Sequence, residues 1–326
     1  MRPLLQYTDR YQADIGRHVF PMDKYGRIIT SLVEAGLATS NDIVEPEAAS
    51  VDDALLVHTK AYVHDILTGS LSPDDVIRLE LPFSRSLVDA FFLAAGGTIA
   101  ALRSSLERGA GVNVGGGFHH AYPDHAEGFC LLNDVAIGVA RLLADRTVSR
   151  VAIVDCDVHQ GNGTAATFGH DPRVFTFSIH QENNYPFPKP PSSLDVGLDD
   201  WTTGPVYLER LAEALPWAVD DFNPEIVLYV AGADPYEHDF LGGLKLTPED
   251  LAERDAMVMG ACAKRSIPFA VVLAGGYAAN TDETVAIHTA TVAAALQVGE
   301  SLADQSREEP GGARTDRAET GRGDAA

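Results

Sequence analysis

The stretch VAIVDCDVHQGNG, residues 151–163, decides how the chain is read. Its first four residues are apolar and mostly β-branched, with none of the polar alternation of a strand that has one wet face. The run then delivers Asp155, Asp157 and His159, spaced i, i+2, i+4, and ends in a Gly161-Asn162-Gly163 turn. Two acids and an imidazole on one side of the exit from a hydrophobic core point to chemistry rather than packing.

Comparable buried-strand segments lie on either side: VNV at 112–114, VFTFSI at 174–179, IVLYVAG at 226–232 and FAVVLAGG at 269–276. Between them, 131–145 carries apolar residues at helical spacing and 207–222 does so up to Pro216, while 247–265 opens on the start signal Thr-Pro-Glu-Asp. Strand–helix alternation of this kind predicts an α/β fold, a doubly wound and mainly parallel sheet with helices on both faces. The first hundred residues read as more helical than strand-like, in MDKYGRIITSLVEAGL and LVDAFFLAAGGTIAALRSSLERG, with VHTKAYVHDILTG between them. There is no internal repeat. One domain over residues 1–300 is expected, with 301–326, poor in aliphatic residues, as a disordered tail.

With 326 residues and 45% apolar side chains, the chain can build a sizeable core. No apolar run is read as approaching the ~20 residues that cross a bilayer, and the charged N-terminal segment is unlike a signal peptide. A cytoplasmic protein with no membrane partner is expected. Three scattered cysteines, Cys130, Cys156 and Cys262, are read as small buried side chains. Acids outnumber bases 47 to 24, for a net charge of −23, which argues against nucleic acid as a partner. The charge suits a cationic substrate, but a soluble, self-repelling surface accounts for it more simply. No oligomeric state is assigned.

Polar residues collect at or just beyond four expected strand ends: His119 and His120, then Asp155-Cys156-Asp157-Val158-His159, then Asp234, then Gly275-Gly276-Tyr277. In open α/β sheets the ligand crevice lies outside the carboxyl ends of the strands, so these loops converge on one rim. Asp157, His159 and Asp234 form a three-ligand set without thiolate that leaves positions open, suited to zinc or another borderline divalent ion such as Fe(II). Such an ion brings bound water towards a pKa of ~7 and polarises a carbonyl. His119 and His120 are the candidate general acid and base, with Asp155 and Asn162 the nearest groups to orient them. Tyr277 on its glycine turn is a candidate oxyanion donor. Together these are the parts needed to hydrolyse an amide.

The segments GGGFHHAYPDHAEGFCLLNDVAIG, VDCDVHQGNGT, FSIH, AGADP and LAGGYAANT resemble the histone deacetylase superfamily, in its order and across residues 4 to 298. His-Gln-Gly-Asn-Gly and LGGL look most like its class IV branch. The resemblance implies an arginase-like three-layer sandwich and a zinc deacetylase of acylated lysine or acylated amines. It implies zinc on Asp157, His159 and Asp234, His120 as the base beside His119, and Tyr277 as the oxyanion donor. Asp155 would orient His119 and face a structural potassium ion, completed by the Ser178-Ile179 backbone and the carbonyls of Asp157 and His159. Gly128 and Phe129 match the wall of the acyl channel.

The chain departs from the family pattern in places. Asn162 replaces an aspartate, so His120 lacks a carboxylate partner, and Gln160 replaces a second histidine. The rim aspartate that holds a peptide substrate is not found: LPFSRSL, residues 81–87, offers no acid. Leu241 stands where polyamine-selective members carry an acid, an apolar gate that admits longer acyl chains. The expected function is removal of acetyl or longer acyl groups from lysine-type amines. Its rivals are a small-molecule, acetylpolyamine-like amidohydrolase, a ureohydrolase of the same fold and a silent acyl-lysine binder.

Overall fold

Every expected buried run forms a strand, and each strand is shared between two cores. In β4 (Val151–Asp155), Val151 and Ile153 face one cluster while Ala152 and Val154 face the other. The sequence does not alternate because both faces are dry. The structure, a computed structural model, describes residues 1–308, with side chains through residue 304.

In chain order the elements open with β1 (Leu4–Gln6), α1 (Lys24–Glu34), β2 (Ile43–Val44) and α2 (Val51–Ala54). Next come α3 (Lys60–Thr68), α4 (Pro73–Leu79), α5 (Arg85–Arg108), β3 (Ala110–Asn113) and α6 (Asp134–Ala144). After β4 follow α7 (Asn162–Phe168), β5 (Val174–Gln181), β6 (Leu194–Leu198) and α8 (Gly204–Pro216). The last elements are β7 (Ile226–Val230), α9 (Pro248–Lys264), β8 (Phe269–Val272) and α10 (Thr281–Glu308).

The strands form one sheet of order β2-β1-β3-β8-β7-β4-β5-β6, and every pairing is parallel. Helices α8, α9 and α10 pack on one face; α6 and the end of α5 pack on the other. This is the α/β sandwich expected. Its consequence for the site lies in the strand order. The four strands that carry the polar clusters, β3, β8, β7 and β4, are scattered in sequence but are consecutive neighbours in the sheet. Their carboxyl ends therefore deliver to one place.

Local signals explain the helix ends. Thr247 accepts the Asp250 N–H while the Asp250 side chain accepts the Thr247 N–H, a capping box that starts α9 where Thr-Pro-Glu-Asp predicts it. Helix α8 ends at Pro216 and passes into a π-helical turn, Trp217–Asp221.

Some expectations are corrected. Strands β1, β2 and β6 were not expected; with two to five residues each, they are too short to carry a periodic signal. The Gly161-Asn162-Gly163 turn is the start of helix α7. One helix, α5, is long and apolar enough to cross a membrane by length and composition, yet 78% of its most apolar window is buried inside the protein. Helix α10 runs through Glu308, eight residues into the segment assigned to a disordered tail. The remainder of that segment, 309–326, lies outside the described residues.

Candidate metal centre

The Asp-X-Asp-X-His run folds by its own side chains. The Asp157 N–H donates to Asp155 Oδ1 (3.1 Å), and the His159 N–H donates to Asp157 Oδ1 (3.0 Å). Each carboxylate accepts the N–H two residues on, the habit of aspartate in turns. This curls the chain so that Asp157 and His159 face the same volume. From the next strand, Asp234 Oδ1 accepts the Val158 N–H (2.8 Å), and from β8 the Gly275 N–H reaches Asp157 Oδ2 (2.9 Å). Ligand atoms of Asp157, His159 and Asp234 lie within 4.8 Å of one another, as expected from the sequence.

Three of these four carboxylate oxygens are occupied by backbone donors, and the fourth, Asp234 Oδ2, is buried with no hydrogen bond. His159 Nδ1 stands 3.4 Å from it and 3.1 Å from Asp157 Oδ1. A Cβ at Gly275 would come within 2.0 Å of Asp234 Oδ2, so this oxygen needs glycine beside it. Burial and the neighbouring Asp157 push the Asp234 carboxyl up to about 7. Burial opposes charge on His159, but the flanking carboxylates prevail and push it up to about 10. Without a cation the cluster must hold protons to limit repulsion, and a divalent ion would displace them. Two carboxylates, one imidazole and an orphaned buried oxygen fit such an ion.

The histidine pair is set by residues 133 and 134. The Asp134 carboxylate accepts the N–H groups of Gly117 (3.1 Å) and Phe118 (2.7 Å), and Asn133 Nδ2 donates to the carbonyls of His119 (3.3 Å) and Ala121 (3.2 Å). The two candidate orienting groups each take one ring. His119 Nδ1 lies 2.6 Å from Asp155 Oδ2 and His120 Nδ1 lies 2.7 Å from Asn162 Oδ1, while the two Nε2 atoms are 3.1 Å apart. Burial works against charge on His119, but Asp155 and Asp157 outweigh it and push its pKa up to about 9. Burial and then its two imidazole neighbours hold His120 well below the ordinary histidine range. These surroundings hold His119 charged and His120 neutral, with the Asn162 amide able to orient the ring but not to ionise.

Tyr277 is held by its backbone, which donates to Asp239 Oδ2 (2.6 Å) and accepts from the Phe240 N–H (3.2 Å). Burial and the charges of Asp157 and Asp234 hold its hydroxyl well above the usual phenol range, so it remains a donor. The other oxygen of Asp239 accepts the N–H groups of Leu241 (2.8 Å) and Gly242 (2.9 Å), which ties Leu241 to the tyrosine turn. Fully buried Lys24 donates to the carbonyl of Ala274 (2.6 Å), a non-glycine residue at φ +49° just before Gly275.

Gly128 (φ +50°) and Phe129 (φ +65°) turn the chain past the pocket, with Tyr185 opposite, its ring edge-on to His120 at 5.0 Å. A Cβ at Gly128 would lie 2.8 Å from the Tyr185 hydroxyl and 2.9 Å from His120, so bare backbone forms the wall. Inside, about 20 Å³ remains among His119, His120, Asp157 and Tyr277, room for about one water. Outside, a cavity of about 210 Å³ opens between Phe129, Tyr185, Leu241 and Glu80.

The residues expected for potassium, Asp155, Asp157, His159, Ser178 and Ile179, are buried together, with Asp155 paired to Ser178 across β4 and β5. Sequence reasoning missed Glu80, Tyr185, Asp239 and Lys24. Glu80, immediately before LPFSRSL and so outside that acid-free segment, is an acid at the mouth; burial and Glu127 raise its carboxyl pKa.

The chain matches the histone deacetylase domain over residues 18–293. An uncharacterised protein of Picosynechococcus is 37% identical over 296 residues, covering 91% of this chain and 99% of its own. Histone deacetylase 2 of Arabidopsis thaliana is 33% identical, over 82% of this chain and 72% of its own. The acetoin utilization protein AcuC of Staphylococcus aureus is 32% identical, over 77% and 68%. With the paired histidines and the three-donor cluster in place at one rim, the chain belongs to the histone deacetylase family and is a deacetylase, a hydrolase.

Proposed function

We propose that this deacetylase is zinc-dependent and removes acetyl or longer acyl groups from lysine-type amines. The orphaned Asp234 Oδ2, within reach of Asp157 and His159, is the observation that carries the metal reading. Zinc held there, or Fe(II) in its place, would lower the pKa of a water and polarise the amide carbonyl. Phe129, Tyr185 and the Gly128 backbone flank the methylene chain and keep bulk water out. Neutral His120 takes the proton of the attacking water through Nε2. The Tyr277 hydroxyl donates to the carbonyl oxygen as charge develops on it. Charged His119, held by Asp155, supports the tetrahedral state, and the proton taken by His120 passes to the leaving amine as the C–N bond breaks. Asp155, Ser178 and the carbonyls of Asp157, His159 and Ile179 would hold a structural potassium ion.

A second reading, a small acetylated polyamine-like substrate, draws support from Glu80, which puts an acid at the mouth although the gate residue Leu241 is apolar. Three buried free cysteines accord with a reducing, cytoplasmic setting. The test is a kcat/KM panel with zinc-loaded enzyme, spanning acetyl- to myristoyl-lysine peptides and acetylated polyamines. Hydrolysis of acyl-lysine peptides above the polyamines is expected. Preference for the polyamines would transfer the proposal to the second reading, and a protein that takes up no divalent ion would end both.

A further inference from the structure

Arg254, on α9, is completely buried beneath the sheet, and neither catalysis nor substrate contact uses it. Its Nη1 donates to the carbonyl of Gly232 (2.6 Å) and to that of Cys156 (3.3 Å). Cys156 immediately precedes Asp157, and Gly232 stands two residues before Asp234. The paired register of β4 and β7 stops at Asp155 and Val230, so the two ligand-bearing segments leave the sheet just where this guanidinium takes hold.

We infer that Arg254 is the positioning residue of the metal centre, fixing the separation of Asp157 and Asp234 by spanning the two carbonyls behind them. The rest of the guanidinium is locked in turn. Nε and Nη2 fork onto Asp255 Oδ1 (3.0 and 2.8 Å), which also accepts the Tyr229 hydroxyl (2.5 Å), while Asp255 Oδ2 accepts Thr291 Oγ1 (2.5 Å). Asp255 neutralises the charge, so the effect on the centre is geometric. A buried ion pair of this kind is a weak source of net stability compared with apolar packing. A planar fork that reaches two carbonyls and a carboxylate at once is, however, something lysine cannot reproduce.

This inference rests on the metal reading above and is tested apart from it. Zinc affinity of the full chain is measured by chelator competition for wild type, Arg254→Lys and Tyr229→Phe, with apo-protein thermal unfolding as the control for folding. Arg254→Lys, still folded, is expected to bind zinc about 10- to 100-fold more weakly, the usual loss when a group behind a metal ligand is removed. Its kcat should fall with KM little changed, because the substrate channel does not touch Arg254. Tyr229→Phe loosens Asp255 alone and should weaken zinc binding in the same direction by a few-fold. Zinc affinity within twofold of wild type in folded Arg254→Lys would overturn the inference while leaving the metal reading intact. Should Arg254→Lys not fold, unchanged affinity in Tyr229→Phe overturns it. A wild-type chain that binds no zinc defeats the metal reading instead.

Discussion

At the floor of the channel, three of the four oxygens of Asp157 and Asp234 are held by backbone N–H groups from the loops after β4 and β8, and the fourth has no hydrogen bond. At the mouth, Glu80, Tyr185 and Leu241 come from loops distant in sequence and line a far larger opening of about 210 Å³. The carboxylates of the floor are each fixed by main-chain N–H groups; Glu80, Tyr185 and Leu241 at the mouth are side chains carried on loops and a helix cap. Chemistry should therefore fail sharply when the floor is altered, and substrate choice should shift gradually when the mouth is altered.

The sharpest break is removal of a ligand. Asp157→Ala or His159→Ala should abolish both bound metal, by elemental analysis, and deacylation. Retention of stoichiometric metal with either change would mean that the ion sits elsewhere. Next in size is Tyr277→Phe, which leaves the three donors untouched and removes one hydroxyl. Metal content should stay at the wild-type level while kcat drops about 10²- to 10³-fold. An unchanged kcat would remove Tyr277 from catalysis.

Acid acts on the same floor more gently. The Asp234 carboxyl, pushed up to about 7, and His159, pushed up to about 10, bind protons in the empty site that a metal must displace. Metal affinity should thus fall as pH falls, by about tenfold per pH unit above 7 and more steeply below it. The metal-induced rise in Tm should shrink in step. Both folded-state pKa values lie above their unfolded values, so the contribution of these two groups to the stability of the metal-free protein is lost as pH rises through about 4 to 10. The stabilising effect of metal and that of protons therefore run in opposite directions, which a Tm series with and without zinc separates.

The same contrast explains what could be read in advance. Asp155, Asp157, His159, Asp234 and Tyr277 follow apolar strands directly, and parallel strands place their carboxyl ends together, so the floor was legible from order and spacing. His119 and His120 were legible for the same reason, although which ring carries the proton depended on Asp155 and Asn162 taking one each. Glu80 was not legible. It caps α4 in a left-handed conformation (φ +56°), and only the tertiary path of the chain brings that cap beside Leu241. Arg254 sits in a helix whose sequence reads as an ordinary charged, amphipathic one. Nothing in its spacing announces a guanidinium that is wholly buried.

The smallest effects should separate the two substrate readings at the mouth. If Glu80 accepts a backbone N–H of a peptide, Glu80→Gln keeps an acceptor oxygen there and should cost acyl-lysine peptides less than about threefold in kcat/KM, whereas Glu80→Ala should cost about tenfold. If Glu80 instead draws in a cation, Gln is as poor as Ala, and the loss falls on acetylated polyamines and fades with added salt. Leu241→Glu adds a second acid a short way along the same opening. It should raise the ratio of polyamine to peptide turnover, and more so with Glu80 intact, because two carboxylates beside one cationic substrate act together. A ratio unmoved by either substitution would mean that the mouth does not select by charge, and that the width left between Phe129 and Tyr185 sets specificity instead.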